Sequence, residues 1–409
     1  METNLNIEII KYENLVKNMT YFLPKEITWK KYNRLWGDSV HRICSYVAMF
    51  SPSLANHFIK QYSNKNDIVL DTFSGRGTTI LESRLLERKT YGIDLNPFAY
   101  VLSKAKSKSF KLEDVLYRIR YWEEKYKKSK KNFLKHIDPN LKIYYSDKNL
   151  KQLSFIKENL GLNYQFLLPL DNFILAITLG LMHGPMRKNG ETIYFSLGMS
   201  NHTSMAPNYV KNYALEHNLK KPEHNIFDKI CNRTIHILKK SKFSNNDAEI
   251  KIGNALEISR YFTITPKLIF TSPPYLNLIN YTKQNWIKMW MLGFNNDEEN
   301  KKIGLDDRHN FNNYELFMEK YLLEISKISN SETSIILVIG DANNKRIKYN
   351  SEYFESMWER LKYKVPLVLT EVYTDRIDQK RKATSSLGTK SGRATRLDKI
   401  YVFKVKEAF

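Results

Sequence analysis

The chain has few of the residues that stabilise small secreted or metal-bound domains. Only Cys44 and Cys231 occur in 409 residues, and they lie far apart in the sequence. Two isolated cysteines provide neither a disulfide framework nor a cysteine metal site. The nine histidines show no metal-ligand spacing. We therefore expect no metal cofactor and a reducing compartment.

Long uninterrupted apolar runs are also missing. The longest, residues 166–182, is interrupted by Pro169, Asp171 and Asn172, and it falls short of the roughly 20 apolar residues of a membrane span. The first residues lack the basic start and apolar run of a secretory signal. The sequence therefore predicts a buried helix at 166–182 and a cytoplasmic protein without a membrane segment.

Acidic residues are scarce relative to basic ones. The chain has 43 Asp or Glu against 65 Lys or Arg, which gives a formal net charge of +22. This excess argues against an acidic metabolic enzyme and makes a polyanion the first partner to consider. The 42% of hydrophobic residues and 13% of aromatic residues exclude a disordered chain of similar charge. We expect a folded protein whose partner is a nucleic acid.

Short apolar runs alternate with helical patterns in two parts of the chain, which predicts a doubly wound, mostly parallel α/β sheet. The predicted strands are residues 68–71, 91–94, 268–270, 334–339, 367–372 and 400–405. The predicted helices between them include residues 78–86, 286–292, 314–328 and 352–361.

The alternation stops between residues 101 and 246, where helical patterns such as 115–126 and 227–238 take over. An interval of this length is enough for an inserted domain. Its first part, residues 101–160, holds 16 Lys or Arg against 7 Asp or Glu. A solvated helix surface and a nucleic-acid face both explain such a charge excess.

Residues 71–79, Asp-Thr-Phe-Ser-Gly-Arg-Gly-Thr-Thr, place two glycines between a strand and a helix. Gly75 and Gly77 permit unusual backbone dihedrals and close approach of a ligand. The Gly-Lys-Ser/Thr of a phosphate loop is absent, and Ile80 stands where a dinucleotide fingerprint has its third glycine. Asp94, at the end of the next strand, suits acceptance of hydrogen bonds from ribose hydroxyls. A purely structural tight turn is the alternative interpretation.

Residues 271–275, Thr-Ser-Pro-Pro-Tyr, follow a buried strand. Two successive prolines fix the backbone and remove two amide donors, which leaves rigid carbonyl acceptors. The Ser272 hydroxyl and the Pro273 carbonyl can accept both hydrogens of an exocyclic amine, while Tyr275 stacks on the base. No Pro-Cys nucleophile occurs in the chain, so no covalent enzyme intermediate is expected. A strand-ending proline turn is the alternative.

These two strings resemble motifs I and IV of the S-adenosylmethionine-dependent amino-methyltransferases of DNA, and Ser272 before the prolines resembles the N4-cytosine type. Ser51-Pro52 resembles motif X, and residues 252–256 resemble motif III, with Asn254 where the family usually has Asp. The resemblance implies S-adenosylmethionine as cofactor and a class-I Rossmann-like methyltransferase fold. Residues 1–100 and 247–409 would form the catalytic domain, and residues 101–246 a basic helical insert that recognises the target.

The resemblance also implies roles for individual residues. Those expected to bind the cofactor are Ser51, Pro52, Asp71, Phe73, Gly75, Gly77, Thr78, Asp94, Asn254, Ala255 and Thr271. Those expected to act on the target base are Ser272, Pro273, Pro274 and Tyr275. A second basic stretch, residues 376–399, is expected to contact DNA phosphates through Arg376, Lys380, Arg381, Lys382, Lys390 and Arg393.

The function expected from this resemblance is methyl transfer to N4 of a cytosine flipped out of a specific duplex DNA sequence, as in restriction-modification systems. Double-stranded DNA is then the main partner, and a cognate restriction endonuclease is a second one. Adenine N6 remains open as the target, as does an exocyclic amine in RNA. A DNA-binding scaffold with a decayed cofactor fold is a third, non-enzymatic alternative, and the oligomeric state stays undetermined.

Overall fold

The computed structural model describes residues 20–22, 37–46, 49–135, 137–186, 191–199, 204–274, 281–295, 303–304, 311–341, 350–376 and 397–406. Its strands are β1 (Thr20–Phe22), β2 (Ile68–Asp71), β3 (Lys89–Asp94), β4 (Ala248–Ile252), β5 (Leu268–Thr271), β6 (Ser334–Asp341), β7 (Leu367–Arg376) and β8 (Leu397–Val405). They form one eight-stranded sheet in the order β1-β7-β8-β6-β5-β2-β3-β4.

The sheet is parallel except for β8, which runs antiparallel to both β6 and β7. From β2 the chain proceeds to β3 and β4 on one side, whereas β5 lies on the other side of β2. Such a reversal of strand order leaves a crevice at the carboxyl ends of the two central strands. The predicted doubly wound, mostly parallel α/β fold of class-I Rossmann-like type is confirmed.

The described residues form fourteen α-helices. They are α1 (Pro52–Tyr62), α2 (Thr78–Leu85), α3 (Pro97–Lys104), α4 (Leu112–Lys128), α5 (Pro139–Tyr144), α6 (Asp147–Ile156), α7 (Pro169–Leu181), α8 (Pro207–Glu216), α9 (Ile226–Leu238), α10 (Ile258–Tyr261), α11 (Tyr281–Gln284), α12 (Trp286–Met291), α13 (Phe311–Lys327) and α14 (Asn350–Leu361). Helices α10, α13 and α14 pack on one face, and α1, α2 and α3 on the other.

Strand β6 shows why this sheet needs helices on both sides. Ile335, Leu337 and Ile339 belong to the apolar cluster on one face, and Ile336 and Val338 to the cluster on the other. Successive side chains of a strand point to opposite faces. A continuous apolar run is therefore buried only when both faces are covered.

The segment from residue 101 to residue 246 is helical wherever the structure assigns it regular secondary structure, apart from single bridge residues. The predicted boundary at residue 101 falls inside α3, and the core of the segment is continuous with Cys44, Leu81 and Trp290 outside it. The apolar stretch 166–182 contains α7, whose residues are almost all buried. The predicted buried helix is confirmed for Pro169–Leu181, whereas Phe166 and Leu168, before its first residue, are exposed.

Two glycines let this segment approach the rest of the chain closely. A Cβ added to Gly180 in α7 would lie 2.0 Å from the carbonyl oxygen of Ile43. A Cβ added to Gly161 would lie 1.9 Å from the carbonyl oxygen of Met291 in α12. Both distances are far below van der Waals contact, so no larger residue fits at either position without a backbone shift. We call these two positions the glycine contacts.

Candidate functional site

The turn between β2 and α2 is shaped by two glycines with positive φ. Gly75 has φ +50° and Gly77 has φ +74°, and Gly77 directly precedes the first residue of α2. A Cβ on Gly77 would lie 3.0 Å from the Cα atom of Ser103 in α3, so both conformation and space favour glycine here. The Gly77 amide donates to the Ser74 carbonyl at 2.6 Å and closes the turn. The predicted strand, turn and helix are confirmed.

Asp94 ends β3 and holds the glycine turn from the side. Its Oδ2 accepts from the Gly75 amide at 2.7 Å, and its Oδ1 accepts from the Asn96 amide at 2.9 Å. A carboxylate has about four acceptor positions, so Asp94 keeps capacity to accept from ligand hydroxyls. Desolvation in the pocket wall raises the pKa of Asp94 to about 6, and the two amide hydrogen bonds oppose this rise.

Asp71 connects the glycine turn to the corner that follows β5. The Thr271 hydroxyl donates to Asp71 Oδ1 at 2.6 Å. The Phe73 amide lies 3.2 Å from the same carboxylate oxygen and 3.1 Å from Thr271 Oγ1. Burial raises the pKa of Asp71 to about 7, against hydrogen bonds from Thr271, Thr79 and the Phe73 amide. Because β2 and β5 are adjacent and parallel, this network fixes their carboxyl ends side by side.

Ser272 begins the proline corner immediately after β5. Its hydroxyl donates to the Val338 carbonyl of β6 at 2.8 Å. The single hydroxyl hydrogen is therefore directed toward β6, and the oxygen faces any further group as an acceptor. Pro273 is buried and Pro274 half-buried, and neither has an amide hydrogen. The corner presents acceptors rather than donors, as its sequence predicts.

One cavity lies between the glycine turn and the proline corner. Nine of the predicted site residues line it: Asp71, Phe73, Gly75, Thr78, Asp94, Asn254, Ala255, Ser272 and Pro274. The two motifs, although about two hundred residues apart in sequence, open into the same space. The cavity lies at the carboxyl ends of β2, β3 and β5, where the strand order reverses.

Five predicted residues lie behind the wall of this cavity. Ser51, Pro52, Gly77, Thr271 and Pro273 are absent from its lining. Ser51 caps α1, because its Oγ accepts from the amide of the third helical residue at 3.2 Å, and Pro52 is the first helical residue. The structure thus gives Ser51 and Pro52 the role of starting α1 beside the cavity.

Eight further residues line the cavity that sequence reasoning did not select: Tyr46, Met49, Phe50, Thr72, Ser74, Arg76, Leu95 and Asn96. Five of them follow β2 or β3 within five residues of the strand end, so the two sequence motifs already indicated this part of the cavity wall. The ring of Phe50 packs edge-on against Phe270 of β5 at 5.2 Å. Arg76 donates from Nε to Thr78 Oγ1 at 3.1 Å and from Nη1 to the His41 carbonyl at 3.3 Å.

Asn254 has a structural role as well as a place in the wall. Its Oδ1 accepts from the Leu256 amide at 3.0 Å and caps the short helical turn after β4. This oxygen has a second lone pair, and the Asn254 side chain also carries an amide donor. An aspartate at this position has no such donor.

Some predicted residues fall outside the part of the chain that the structure describes. Tyr275 is one of them, and so are Lys380, Arg381, Lys382, Lys390 and Arg393. Arg376 is the last residue of β7, but its side chain is not described. Their roles in base stacking and phosphate contact stay predictions.

The described ranges show neither a metal-binding cluster nor a membrane-spanning helix. Within them, no group of three or more His, Cys, Asp or Glu side chains is arranged to hold a metal ion. No helix found there combines the length and the apolar composition needed to cross a bilayer.

Comparison with known proteins connects this site to a family. Residues 2–105 match the family model described as DNA methylase. The type II methyltransferase M.MjaII of Methanocaldococcus jannaschii is 29% identical over 110 residues, which are 26% of this chain and 21% of that protein. The type II methyltransferase M.MvaI of Kocuria varians is 30% identical over 135 residues, 29% of this chain and 29% of that protein.

These alignments cover less than a third of either relative's own length. Among solved structures, TrmN of Thermus thermophilus aligns at 9% identity with a TM-score of 0.32, covering 88% of this chain and 50% of that one. A likeness at that level supports no conclusion, so the fold assignment depends on the order of the strands in the sheet. The sequence matches support S-adenosylmethionine as the cofactor, and the resemblance of this chain to the N4 and N6 amino-methyltransferases of DNA is confirmed.

Proposed function

We propose that this protein is an S-adenosylmethionine-dependent DNA methyltransferase that methylates the exocyclic N4 of a cytosine in a specific duplex sequence. The observation that carries the proposal is the single cavity lined by both the glycine turn and the proline corner. Methyl transfer to an amine needs the donor and the acceptor within one site. The excess of basic residues favours a polyanionic substrate.

The cavity fits the proposed cofactor in its chemistry. Asp94 offers acceptors for ribose hydroxyls, and the glycine turn exposes backbone with no Cβ at Gly75 or Gly77. Phe73, Asn254 and Ala255 offer an aromatic ring, an amide donor and a small apolar side chain. When bound, S-adenosylmethionine supplies a methyl group activated by a positively charged sulfur.

The proline corner suits an incoming amine. The Ser272 hydroxyl donates to Val338, so its oxygen can accept one N–H. For the second N–H we propose the backbone carbonyl of Pro273, a residue that adjoins the cavity wall without lining it. Fixing both hydrogens directs the nitrogen lone pair along the remaining direction, toward the glycine turn. After transfer the nitrogen carries one proton too many. We propose that this proton passes to water, since its loss needs no positioned base.

An amine inside a stacked duplex cannot reach this corner, so the target base must leave the stack. Cytosine rather than adenine is proposed because serine precedes the two prolines. Residues 101–246 are the proposed target-recognition segment, and residues 376–399 a proposed phosphate contact. The relatives are named type II methyltransferases, and for this chain we propose a cognate restriction endonuclease as a second partner.

Nucleoside mass spectrometry of plasmid DNA from cells expressing the protein tests the proposal, combined with sequencing that detects modified bases. We expect N4-methylcytosine in one sequence context, and its loss in Ser272→Ala. Tyr363→Ala, far from the cavity at the amino end of β7, is the matched control and should keep the modification. N6-methyladenine as the product would contradict the cytosine assignment, and methylation confined to RNA would contradict the DNA substrate.

A further inference from the structure

Helix α8 exposes Tyr209 to solvent, and His217 directly after the helix is exposed as well, whereas Tyr213 between them is half-buried against the apolar core. Val210 is the one buried residue of α8, whereas Tyr209 is 48% exposed. Tyr209, Tyr213 and His217 recur every four residues and share one face. The ring centroids of Tyr209 and Tyr213 are 6.0 Å apart at 15°, and those of Tyr213 and His217 are 4.0 Å apart at 21°. We call these three residues the aromatic ladder.

The chain entering α8 is fastened to the helices that follow the proline corner. The Ser204 amide donates to the Gln284 carbonyl at the end of α11, at 2.8 Å. The Trp286 Nε1 donates to the Met205 carbonyl at 3.3 Å. Helix α11 is the first described element after Pro274. The aromatic ladder therefore belongs to the part of the helical segment that is bound to the chain leaving the proposed catalytic corner.

Charged side chains of both signs lie near the aromatic ladder. Lys220 is exposed just after α8. Glu216 lies on the same helix face as Tyr213, 4.0 Å from His217, whereas Lys211 lies on another face of the helix. The chain as a whole has a net charge of +22, which attracts the phosphates of a nucleic acid, and exposed rings stack on its bases. Bases inside a duplex present only their edges in the grooves. Only a base that has left the stack offers a face to a ring.

From this placement we propose that the aromatic ladder is a stacking platform for a nucleobase of the DNA substrate that has left the duplex stack. The proposal rests on the proposed function and names a second nucleic-acid contact for it, distinct from the pocket that receives the target amine. Tyr209 is the ring at the amino end of the ladder and is 48% exposed.

Fluorescence anisotropy with the full chain tests this role. The probes are a mixed-sequence single-stranded oligodeoxynucleotide, the same strand annealed to its complement, and an RNA strand of the same sequence. We expect Tyr209→Ala to weaken binding of the single strand roughly 5- to 150-fold, and to weaken duplex binding much less. Tyr209→Phe retains the ring and should bind like the wild type.

Tyr363→Ala is the matched control, because Tyr363 is an exposed tyrosine between α14 and β7, outside the helical segment. Calorimetric titration with S-adenosylmethionine monitors the fold of each variant, and unchanged cofactor affinity in Tyr209→Ala separates stacking from misfolding. Undiminished binding of the single strand by Tyr209→Ala would overturn the proposed role of the aromatic ladder and leave the proposed function standing. Loss confined to RNA would assign the platform to RNA and overturn the DNA assignment. Absence of DNA binding by the wild type would overturn the proposed function as well.

Discussion

Residues 71–79 and residues 101–246 are attached to the same sheet in different ways. The glycine turn is held by hydrogen bonds from neighbouring strand ends, such as the contact of Gly75 with Asp94. The helical segment is held by apolar packing and by the two glycine contacts, where its backbone meets that of Ile43 and Met291. The turn should therefore respond to loss of single polar atoms, and the segment to addition of single carbon atoms.

The largest effect we expect is on the helical side, from Gly180→Ala. Helix propensity alone would favour alanine inside α7 by about 1 kcal/mol. The added Cβ, however, would lie 2.0 Å from a backbone oxygen, and overpacking costs up to about 3 kcal/mol. Urea denaturation should show a lower free energy of unfolding. Asn212→Ala, at an exposed position of α8, is the control, and a gain of stability in Gly180→Ala would refute the glycine contact.

On the side of the glycine turn, Asp94→Ala should weaken S-adenosylmethionine binding. Hydrogen bonds to a charged group contribute about 1.5–3 kcal/mol, so we expect an affinity loss of about 30-fold by calorimetry. Asp228→Ala provides the comparison, since Asp228 is an acidic residue of the helical segment that pairs with Arg120 at 2.8 Å. Equal losses in both variants would remove the distinction between the two regions.

The affinity for the cofactor should also depend on pH. Desolvation raises the pKa of Asp94 to about 6, so this carboxyl is protonated below that pH and cannot accept through both oxygens. Affinity should rise with pH by up to roughly tenfold per unit and level off above about pH 6. Asp94→Asn should flatten the profile, whereas Asp71→Asn serves as the control for the second carboxyl with a raised pKa. A pH-independent affinity in the wild type would contradict the assignment.

The same shifts predict how stability depends on pH. Burial raises the pKa values of Asp71 and Asp94 from the ordinary 3.8 to about 7 and about 6. Between the ordinary pKa of 3.8 and these raised values, the folded state binds more protons than the unfolded state. The free energy of unfolding contributed by the two carboxyls therefore decreases as pH rises from about 4 to about 7. Urea titrations across this range, repeated with Asp71→Asn, measure the slope.

The smallest effect concerns the charged surface of the helical segment. Lys125 and Lys128 are exposed on α4, and if they contact phosphates, replacing both with alanine should reduce the salt dependence of DNA binding by about two counterions. Lys60 of α1 and Lys89 of β3 are exposed outside the helical segment, and replacing both with alanine provides a control of equal charge. An unchanged slope for Lys125→Ala and Lys128→Ala together would favour a merely solvated helix face.

Buried strands were predictable from sequence, and edge strands were not. The run 68–71 is apolar up to its final Asp because β2 lies in the middle of the sheet. Strand β4, Ala-Glu-Ile-Lys-Ile, is an edge strand whose side chains are only partly buried, so charged residues are tolerated there. Strand β1 has three residues, which is too short for a periodic pattern. The antiparallel direction of β8 depends on the connection after β7, which the apolar run 400–405 does not encode.

The candidate site was predictable where backbone chemistry restricts the residue type. Glycine at 75 and 77 and proline at 273 and 274 are needed for conformation, so the two strings stand out in the sequence. Phe50 and Tyr46 line the same cavity without such a requirement. Their positions depend on packing, with Phe50 against Phe270 and Tyr46 against Phe98 at 5.5 Å. An apolar residue outside a motif carries no sequence mark of the cavity it reaches.

The glycine contacts limit how recognition segments can be exchanged between related enzymes. A segment transplanted in place of residues 101–246 needs glycine where Gly161 and Gly180 stand, or its backbone will collide with Met291 and Ile43. We expect chimeras that exchange residues 101–246 alone to assemble poorly. Chimeras that also carry over residues 37–46 and 286–292 bring both sides of each contact from one parent and should assemble.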